Sequence, residues 1–351
     1  MKVCVYTICK NEIDNINQWL DCMNEADYMV VVDTGSIDGT YEKLREAQRK
    51  YKNLLIYKEN INPWRFDVAR NVAKSHIPAD TDLCVSMDMD EIFMYKGWCS
   101  FLKRIWLPNY ELGTLFYIDN KENNVYNKRT MLPRTKIHKL SAIWKYPLHE
   151  VPLTDINDEY CAQSLISNNH MQAVNLDLRD NDWERLIVIH NSTKKAKESY
   201  IQLAELRLTE YPGIVSETIK IMELFKNQKY QDCYNFIDTI LKKYADNDQV
   251  NHYKSKFYFY KGYIEENYFK KVSLAKDSFE TSVSYNSKNY NSIYELVLIY
   301  NARKLNNKII NLSKPTLDNF YDDRFSRYGK PYDELMNWFY DNFENYYNMS
   351  K

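Results

Sequence analysis

The feature that most constrains this chain is an alternation of short apolar, strand-like runs with helix-like segments over its first 91 residues. Lys2 to Ile8 is rich in β-formers, Asp14 to Ala26 carries apolar residues at helical spacing (Ile16, Trp19, Leu20, Met23), and Tyr28 to Val32 is a continuous apolar run ending in Asp33. The alternation continues with a helix over Thr40 to Tyr51, a strand over Leu54 to Tyr57, a helix over Phe66 to His76 and a strand over Leu83 to Met87 that ends in acids. Strands alternating with helices predict an α/β fold with a parallel sheet buried on both faces and right-handed crossovers. Ligands of such sheets bind outside the carboxyl ends of the strands. That rule directs attention to Cys9 to Glu12, Asp33 to Thr40 and Asp88 to Glu91.

Beyond Leu112 the texture changes. Thr114 to Ile118 and Val125 to Met131, around Lys121-Glu122-Asn123-Asn124, predict a hairpin that extends the sheet, with further strand segments to about Ile189. After Asn191 apolar residues recur at spacings of three and four, as in Tyr200 to Leu208, Ile219 to Phe225, Cys233 to Leu241 and Ala275 to Val283, which predicts helices almost throughout. The stretches Lys220 to Tyr244 and Phe257 to Tyr285 share a helix, a short polar turn with an aromatic and a second helix, a spacing like that of tetratricopeptide-type repeats. At 351 residues the chain is too long for one ordinary core and suits two. The expected division is an α/β domain over 1–192 and an all-α domain over 193–351.

Lys+Arg 47 against Asp+Glu 48 leaves a formal charge of -1, so no basic footprint for nucleic acid exists despite 31 tyrosines. Apolar stretches such as Met29 to Val32 and Leu186 to Ile189 fall far short of the roughly 18 residues of a membrane helix, and the first residues read directly into a strand. A cytoplasmic protein without a transmembrane segment is the expectation. The 7 cysteines are scattered and contain no CxxC pair, which reads as reduced, mostly buried thiols.

The sharpest local signal is Cys84-Val85-Ser86-Met87-Asp88-Met89-Asp90-Glu91. In an extended segment residues i and i+2 point to one side, so Asp88 and Asp90 are expected to converge on one hard cation. Acids at strand ends are commonly just solvated; here the pair closes the fourth strand of a nucleotide-type sheet. Val31 to Thr40 places Asp33 and hydroxyls on a Gly-rich turn before a helix, a geometry suited to reading a nucleoside and equally to capping that helix at Ser36 or Asp38.

Through Lys10-Asn11-Glu12, Val32-Asp33-Thr34-Gly35-Ser36-Ile37-Asp38-Gly39-Thr40, Phe66-Asp67-Val68-Ala69-Arg70-Asn71 and Asp88-Met89-Asp90-Glu91, the sequence resembles the family 2 glycosyltransferases of GT-A fold. The resemblance continues in Lys136-Ile137-His138, Trp144-Lys145-Tyr146-Pro147-Leu148-His149-Glu150 and His190, and on into a helical tail, as in the subgroup fused to tetratricopeptide-like helices. It implies inverting transfer of a sugar from a nucleoside diphosphate donor, assisted by Mn²⁺ or Mg²⁺. It also implies that Asp33 and its neighbours hold uracil and ribose, that Asp88 and Asp90 hold ribose and metal, and that Thr7, Thr34, Asp67 and Arg70 complete the donor-binding set.

A divalent ion held by carboxylates neutralises the charge developing on the leaving diphosphate, and Arg70 or Arg65 can supply a second positive group or serve only in a salt bridge. An inverting displacement needs a base for the acceptor's proton, and Glu150 is the candidate; its structural alternative is a buried ion pair with an arginine such as Arg134. His149 or His190 is a candidate to complete the metal shell, since neutral imidazole ligates beside carboxylates. Nothing in the sequence fixes the role of His138. Where many relatives carry a second acid after the first in the Asp33 turn, Thr34 stands, which leaves the contact to the base to a hydroxyl or backbone group.

The expected partners are a nucleotide-sugar donor and a protein, peptide or glycan acceptor, with no nucleic acid and with a homodimer through the helical domain. The competing reading is an inactive nucleotide-sugar-binding scaffold that presents the helices. A nucleotidyltransferase is disfavoured because Thr7-Ile8-Cys9-Lys10-Asn11-Glu12 contains no glycine for a phosphate loop.

Overall fold

A computed structural model describes residues 1–119, 132–154, 170–171, 185–191, 200–305, 307–309 and 311–312. The chain divides into two compact units, Met1–Lys197 and Glu198–Lys351. The expected boundary at 192/193 and the expected strand over Val125 to Met131 lie outside the described residues.

The first unit opens with β1 (Val3–Cys9), α1 (Ile16–Met23), β2 (Tyr28–Asp33), α2 (Thr40–Ala47), β3 (Leu54–Lys58), α3 (Phe66–Ser75) and β4 (Leu83–Ser86). β5 (Glu91–Phe93), α4 (Trp98–Ile105), β6 (Leu112–Asp119), β7 (Leu132–His138), β8 (Ile143–Lys145), β9 (Val151–Leu153), β10 (His170–Met171) and β11 (Ile187–His190) follow. The main sheet has nine strands in the order β3-β2-β1-β4-β7-β6-β11-β5, with β10 beside β6, while β8 and β9 form a separate hairpin. β1 pairs in parallel with both β2 and β4, and β2 with β3, as the alternation predicts. From β7 onward the sheet is mixed: β7 runs antiparallel to β4 and β6, and β5 antiparallel to β11.

The hairpin partner of β6 is thus Leu132–His138, with Thr114 opposite Thr135 and Phe116 opposite Pro133.

Successive strand residues alternate between the two faces of the sheet. Val3, Val5, Met29, Val31 and Val85 pack with Trp19, Leu20, Leu44 and Trp98 of α1, α2 and α4, whereas Cys4, Tyr6, Val30, Val32 and Cys84 pack with Ala73 of α3 and Trp144 of β8. Both faces are dry, and each fully buried large apolar side chain is worth about 1.5–3 kcal/mol. The result is a Rossmann-like α/β domain followed by a helical region.

The second unit contains α5 (Ile201–Glu210), α6 (Ile214–Lys226), α7 (Tyr230–Lys243), α8 (Asn251–Asn267), α9 (Val272–Tyr285) and α10 (Tyr290–Ala302), each packed on the next. The turns after α6 and α8 each contain one left-handed residue, Gln228 and Lys270, both at φ 58. Gly262 of α8 lies against the ring of Phe279 of α9, where a Cβ would come within 2.6 Å of the ring. Among the described residues no helix is long and apolar enough to cross a membrane. Six cysteines, Cys4, Cys9, Cys22, Cys84, Cys99 and Cys233, are free thiols, and Cys161 lies outside the described residues.

Candidate active site

The carboxyl ends of β1, β2 and β4 open on one side of the parallel core, and the turn after β2 is built first. Asp33 is fully buried, and its Oδ1 accepts from the backbone N–H groups of Gly35 and Ser36, each at 3.0 Å. Gly35 and Gly39 take φ of 107 and 91, which favours glycine. The segment after β1 locks onto this turn. Asn11, itself left-handed, donates its N–H to Ser36 Oγ and accepts from the N–H of Ile37, both at 2.8 Å, while Glu12 N–H donates to Thr40 Oγ1 at 2.8 Å. Asp38 Oδ1 accepts from Thr40 N–H at 3.0 Å from the position before the N-cap Gly39, and Ser36 ties the loop.

Two of the predicted donor-binding hydroxyls turn inward. Thr7 is fully buried and donates to the carbonyl of Ile8 at 3.0 Å, and Thr34 Oγ1 donates to the carbonyl of Cys9 at 2.9 Å. Asp67, at the start of α3, is held by Arg65 through both oxygens, at 3.0 and 2.9 Å. Arg65 is therefore paired locally.

One helical turn further on, Arg70 is 4% exposed. Its Nη1 lies 2.6 Å from Asp88 Oδ1 and 3.2 Å from Ser86 Oγ, its Nη2 lies 3.1 Å from Asp88 Oδ2, and its Nε lies 3.0 Å from Glu150 Oε1. Glu150 is thus the buried ion-pair partner of an arginine; the arginine is Arg70, and Arg134 instead stacks its guanidinium 4.8 Å from the ring of Tyr117.

The acids after β4 are not extended. Glu91 N–H donates to the carbonyl of Asp88 at 3.0 Å, closing a turn, so the extended geometry expected of Asp88 and Asp90 is replaced by a bend. Asp88 faces Arg70 and Lys136, whose Nζ lies 3.2 Å away. Burial alone would raise the Asp88 carboxyl, but Arg70 and then Lys136 outweigh it and hold it well below the usual carboxylate range. Glu91, 1% exposed, accepts from Asp88 N–H at 2.8 Å and from the Tyr117 hydroxyl at 3.0 Å; burial pushes its carboxyl up, against the pull of Lys136. Asp90 turns the other way, its Oδ2 3.3 Å from His190 Nε2, with side chains 27% and 23% exposed. His190 ends β11, where it pairs opposite Glu91, and that register delivers the imidazole to Asp90.

His149 is exposed in the turn between β8 and β9, with φ 52, beside Glu150. Among the described residues no three His, Cys, Asp or Glu side chains form a group able to hold a metal. The four predicted ligands are therefore not gathered: Asp88 is neutralised by cations of the chain itself, and Asp90 and His190 form a separate pair. Lys136 is the site residue that the sequence did not single out. Its motif neighbour His138 drew attention, but Lys136 is the residue of β7 skipped between the pairs Gly113–Ile137 and Thr114–Thr135, a β-bulge that interrupts the alternation and turns it toward Asp88 and Glu91.

Residues 4–167 match the family described as Glycosyl transferase family 2. No curated protein matches the chain. Among solved structures, the chain is similar to TarS 1-349 of S. aureus at 14% identity, with 93% of each chain covered and a TM-score of 0.36. It is also similar to the mannosyltransferase PcManGT from Pyrobaculum calidifontis in complex with GDP-Man and Mn2+, at 14% identity, with 92% of this chain and 87% of that chain covered and a TM-score of 0.42.

Proposed function

We propose that the chain is a glycosyltransferase that moves a sugar from a nucleoside diphosphate sugar to an acceptor nucleophile with inversion. The observation that carries this reading is the family match over residues 4–167, a segment whose acids Asp33, Asp88 and Asp90 follow parallel strands at their carboxyl ends. Strand carboxyl ends of open α/β sheets are where nucleotides dock.

The nucleoside lies against the Asp33 turn. Asp33, fully buried, shapes that turn from within through Gly35 and Ser36, so its contribution is the orientation of backbone groups. With Thr7 and Thr34 bonded to carbonyls of β1, they serve as supports for the pocket wall. Asp88, fixed by Arg70 and Lys136, presents its 33% exposed carboxylate to the ribose.

Asp90 and His190 fit a divalent cation, because a carboxylate oxygen and an imidazole nitrogen already adjoin there, partly open to solvent. Mn²⁺ or Mg²⁺ takes few protein ligands when diphosphate oxygens and waters fill the remaining positions. Such an ion supplies electrostatic stabilisation of the leaving diphosphate.

The acceptor oxygen attacks the anomeric carbon as the carbon–oxygen bond to the diphosphate breaks, its electrons leaving with the phosphate. Glu150 takes the acceptor's proton. Its Oε1 is held by Arg70, which orients the carboxylate. Because Arg70 also grips Asp88, one guanidinium ties the base to the donor-binding acid.

The test is nucleoside diphosphate release from UDP-glucose, UDP-N-acetylglucosamine, UDP-galactose and GDP-mannose, with and without Mn²⁺, by wild type and Asp90→Ala. Metal-stimulated release from one donor that Asp90→Ala abolishes is the expected result. Equal, metal-independent background in both proteins would support an inactive scaffold.

A further inference from the structure

Behind the candidate site lies a buried polar chain that none of the donor, metal or base assignments uses. Tyr6 of β1 is fully buried at the centre of the sheet, where a phenylalanine would fill the same space without a hydroxyl to satisfy. His138 Nδ1 lies 2.8 Å from the carbonyl of Lys139, which can only accept, so Nδ1 carries the proton and Nε2 is an acceptor. Tyr6 therefore donates its hydroxyl proton to His138 Nε2 at 2.7 Å, and its oxygen accepts from the indole N–H of Trp144 at 2.5 Å. Ser86 sits opposite Tyr6 in the register of β4, and its Oγ accepts from Arg70 Nη1 at 3.2 Å. From the Lys139 carbonyl through His138 and Tyr6 to the Trp144 indole, one arrangement of protons satisfies every group.

The chain meets Arg70 at Trp144. The Trp144 ring lies 5.4 Å from the Arg70 Cζ, within cation–π reach. Trp144 is pinned by its backbone as well: Asn71, the neighbour of Arg70 on α3, accepts from Trp144 N–H at 3.0 Å and donates to its carbonyl at 2.8 Å. Burial keeps His138 neutral, its imidazolium pushed down to about 4, so the acceptor role of Nε2 persists through the neutral range.

We propose that Tyr6 is a positioning residue. Through Trp144 at the face, and anchored by His138, it fixes the plane of the Arg70 guanidinium so that one fork holds Asp88 and Glu150 together. A fully satisfied buried network specifies one geometry, and a planar five-donor group is where such specification matters most. The inference rests on the transferase reading for its kinetic readout alone.

The experiment is a double-mutant cycle on the full chain with Tyr6→Phe, Arg70→Lys and the double variant, read by kcat and KM for donor hydrolysis. Tyr6→Phe is expected to lower kcat about tenfold, roughly 1.4 kcal/mol, with donor KM unchanged within about twofold, and to add nothing in the Arg70→Lys background. An equal loss in both backgrounds, or none, overturns the proposal. Independently of activity, arginine-¹⁵N NMR is expected to show a slowly exchanging Arg70 Nε–H in wild type that shifts and exchanges faster in Tyr6→Phe; an unmoved resonance overturns it. If Tyr6→Phe does not fold, Trp144→Phe, which loses the indole N–H that Tyr6 accepts from and keeps an aromatic face beside Arg70, carries the same resonance test. His138→Gln, which offers an amide donor and a carbonyl acceptor, is expected to restore more of the wild-type kcat than His138→Leu. If no donor is turned over by wild type, the transferase reading fails and the Arg70 resonance alone decides this inference.

Discussion

Arg70 grips Asp88 with both terminal nitrogens, Nη1 2.6 Å from Oδ1 and Nη2 3.1 Å from Oδ2, while its Nε reaches Glu150. Arg70→Met takes the guanidinium from Asp88 and Glu150 and leaves Lys136 as the cation beside Asp88 and Glu91, and removing one partner of a buried pair costs about 3–5 kcal/mol. Because Asp88 is 33% exposed, the low end, about 3 kcal/mol, is expected in urea unfolding. Arg70→Lys keeps the charge but loses the fork, and a smaller loss of stability is expected with an activity loss as large as that of the Met variant.

Asp90 and His190 are expected to act as a pair toward manganese. Since a bound metal supplies several kcal/mol of charge stabilisation, Asp90→Ala should reduce Mn²⁺-stimulated donor hydrolysis about a hundredfold or more. His190→Ala should weaken Mn²⁺ binding, followed by electron paramagnetic resonance, about tenfold in the presence of nucleoside diphosphate. Unchanged Mn²⁺ affinity in both variants would exclude them as ligands.

His138 predicts a pH dependence of stability. Its folded-state pKa is depressed to about 4 by burial, against 6.5 unperturbed, so the unfolded chain binds the proton more tightly. The stabilisation is complete above the unfolded value and is lost as pH falls from about 6.5 toward 4, amounting to about 3 kcal/mol. Urea midpoints measured from pH 7.5 to 4 should fall more steeply for wild type than for His138→Gln by roughly that amount.

Gly262→Ala sets helix propensity against packing. Alanine favours a helix interior by about 1 kcal/mol over glycine, but its Cβ would lie 2.6 Å from the Phe279 ring. Overpacking of a filled core costs about 1–3 kcal/mol, so net destabilisation is expected in thermal unfolding of the full chain. Phe279→Leu in the same background should recover part of the loss.

Much of this architecture was legible in the residues. The helix–strand alternation from Val3 to Ser86 gives the parallel core directly, because burial on both faces demands continuous apolar strands and periodic helices. The acids Asp33, Asp88 and Asp90 were found where strands end, and the glycines at 35 and 39 mark a turn whose φ values require them. By contrast, the i, i+2 argument for Asp88 and Asp90 assumed an extended segment, whereas Glu91 N–H closes a turn on the Asp88 carbonyl and the two acids take different partners. Lys136 was missed because a lysine in a strand reads as an exposed position until a carboxylate is seen beneath it.

Local periodicity and motif content therefore determined the class of fold, the order of its elements and the short list of chemically charged positions, since those depend on neighbours within a few residues. Tertiary structure alone decided which charges meet: Arg70 with Asp88 and Glu150, Asp90 with His190, Tyr6 with His138 and Trp144. Each of these contacts joins different strands, helices or turns, and their meeting is set by strand register and helix packing rather than by distance along the chain.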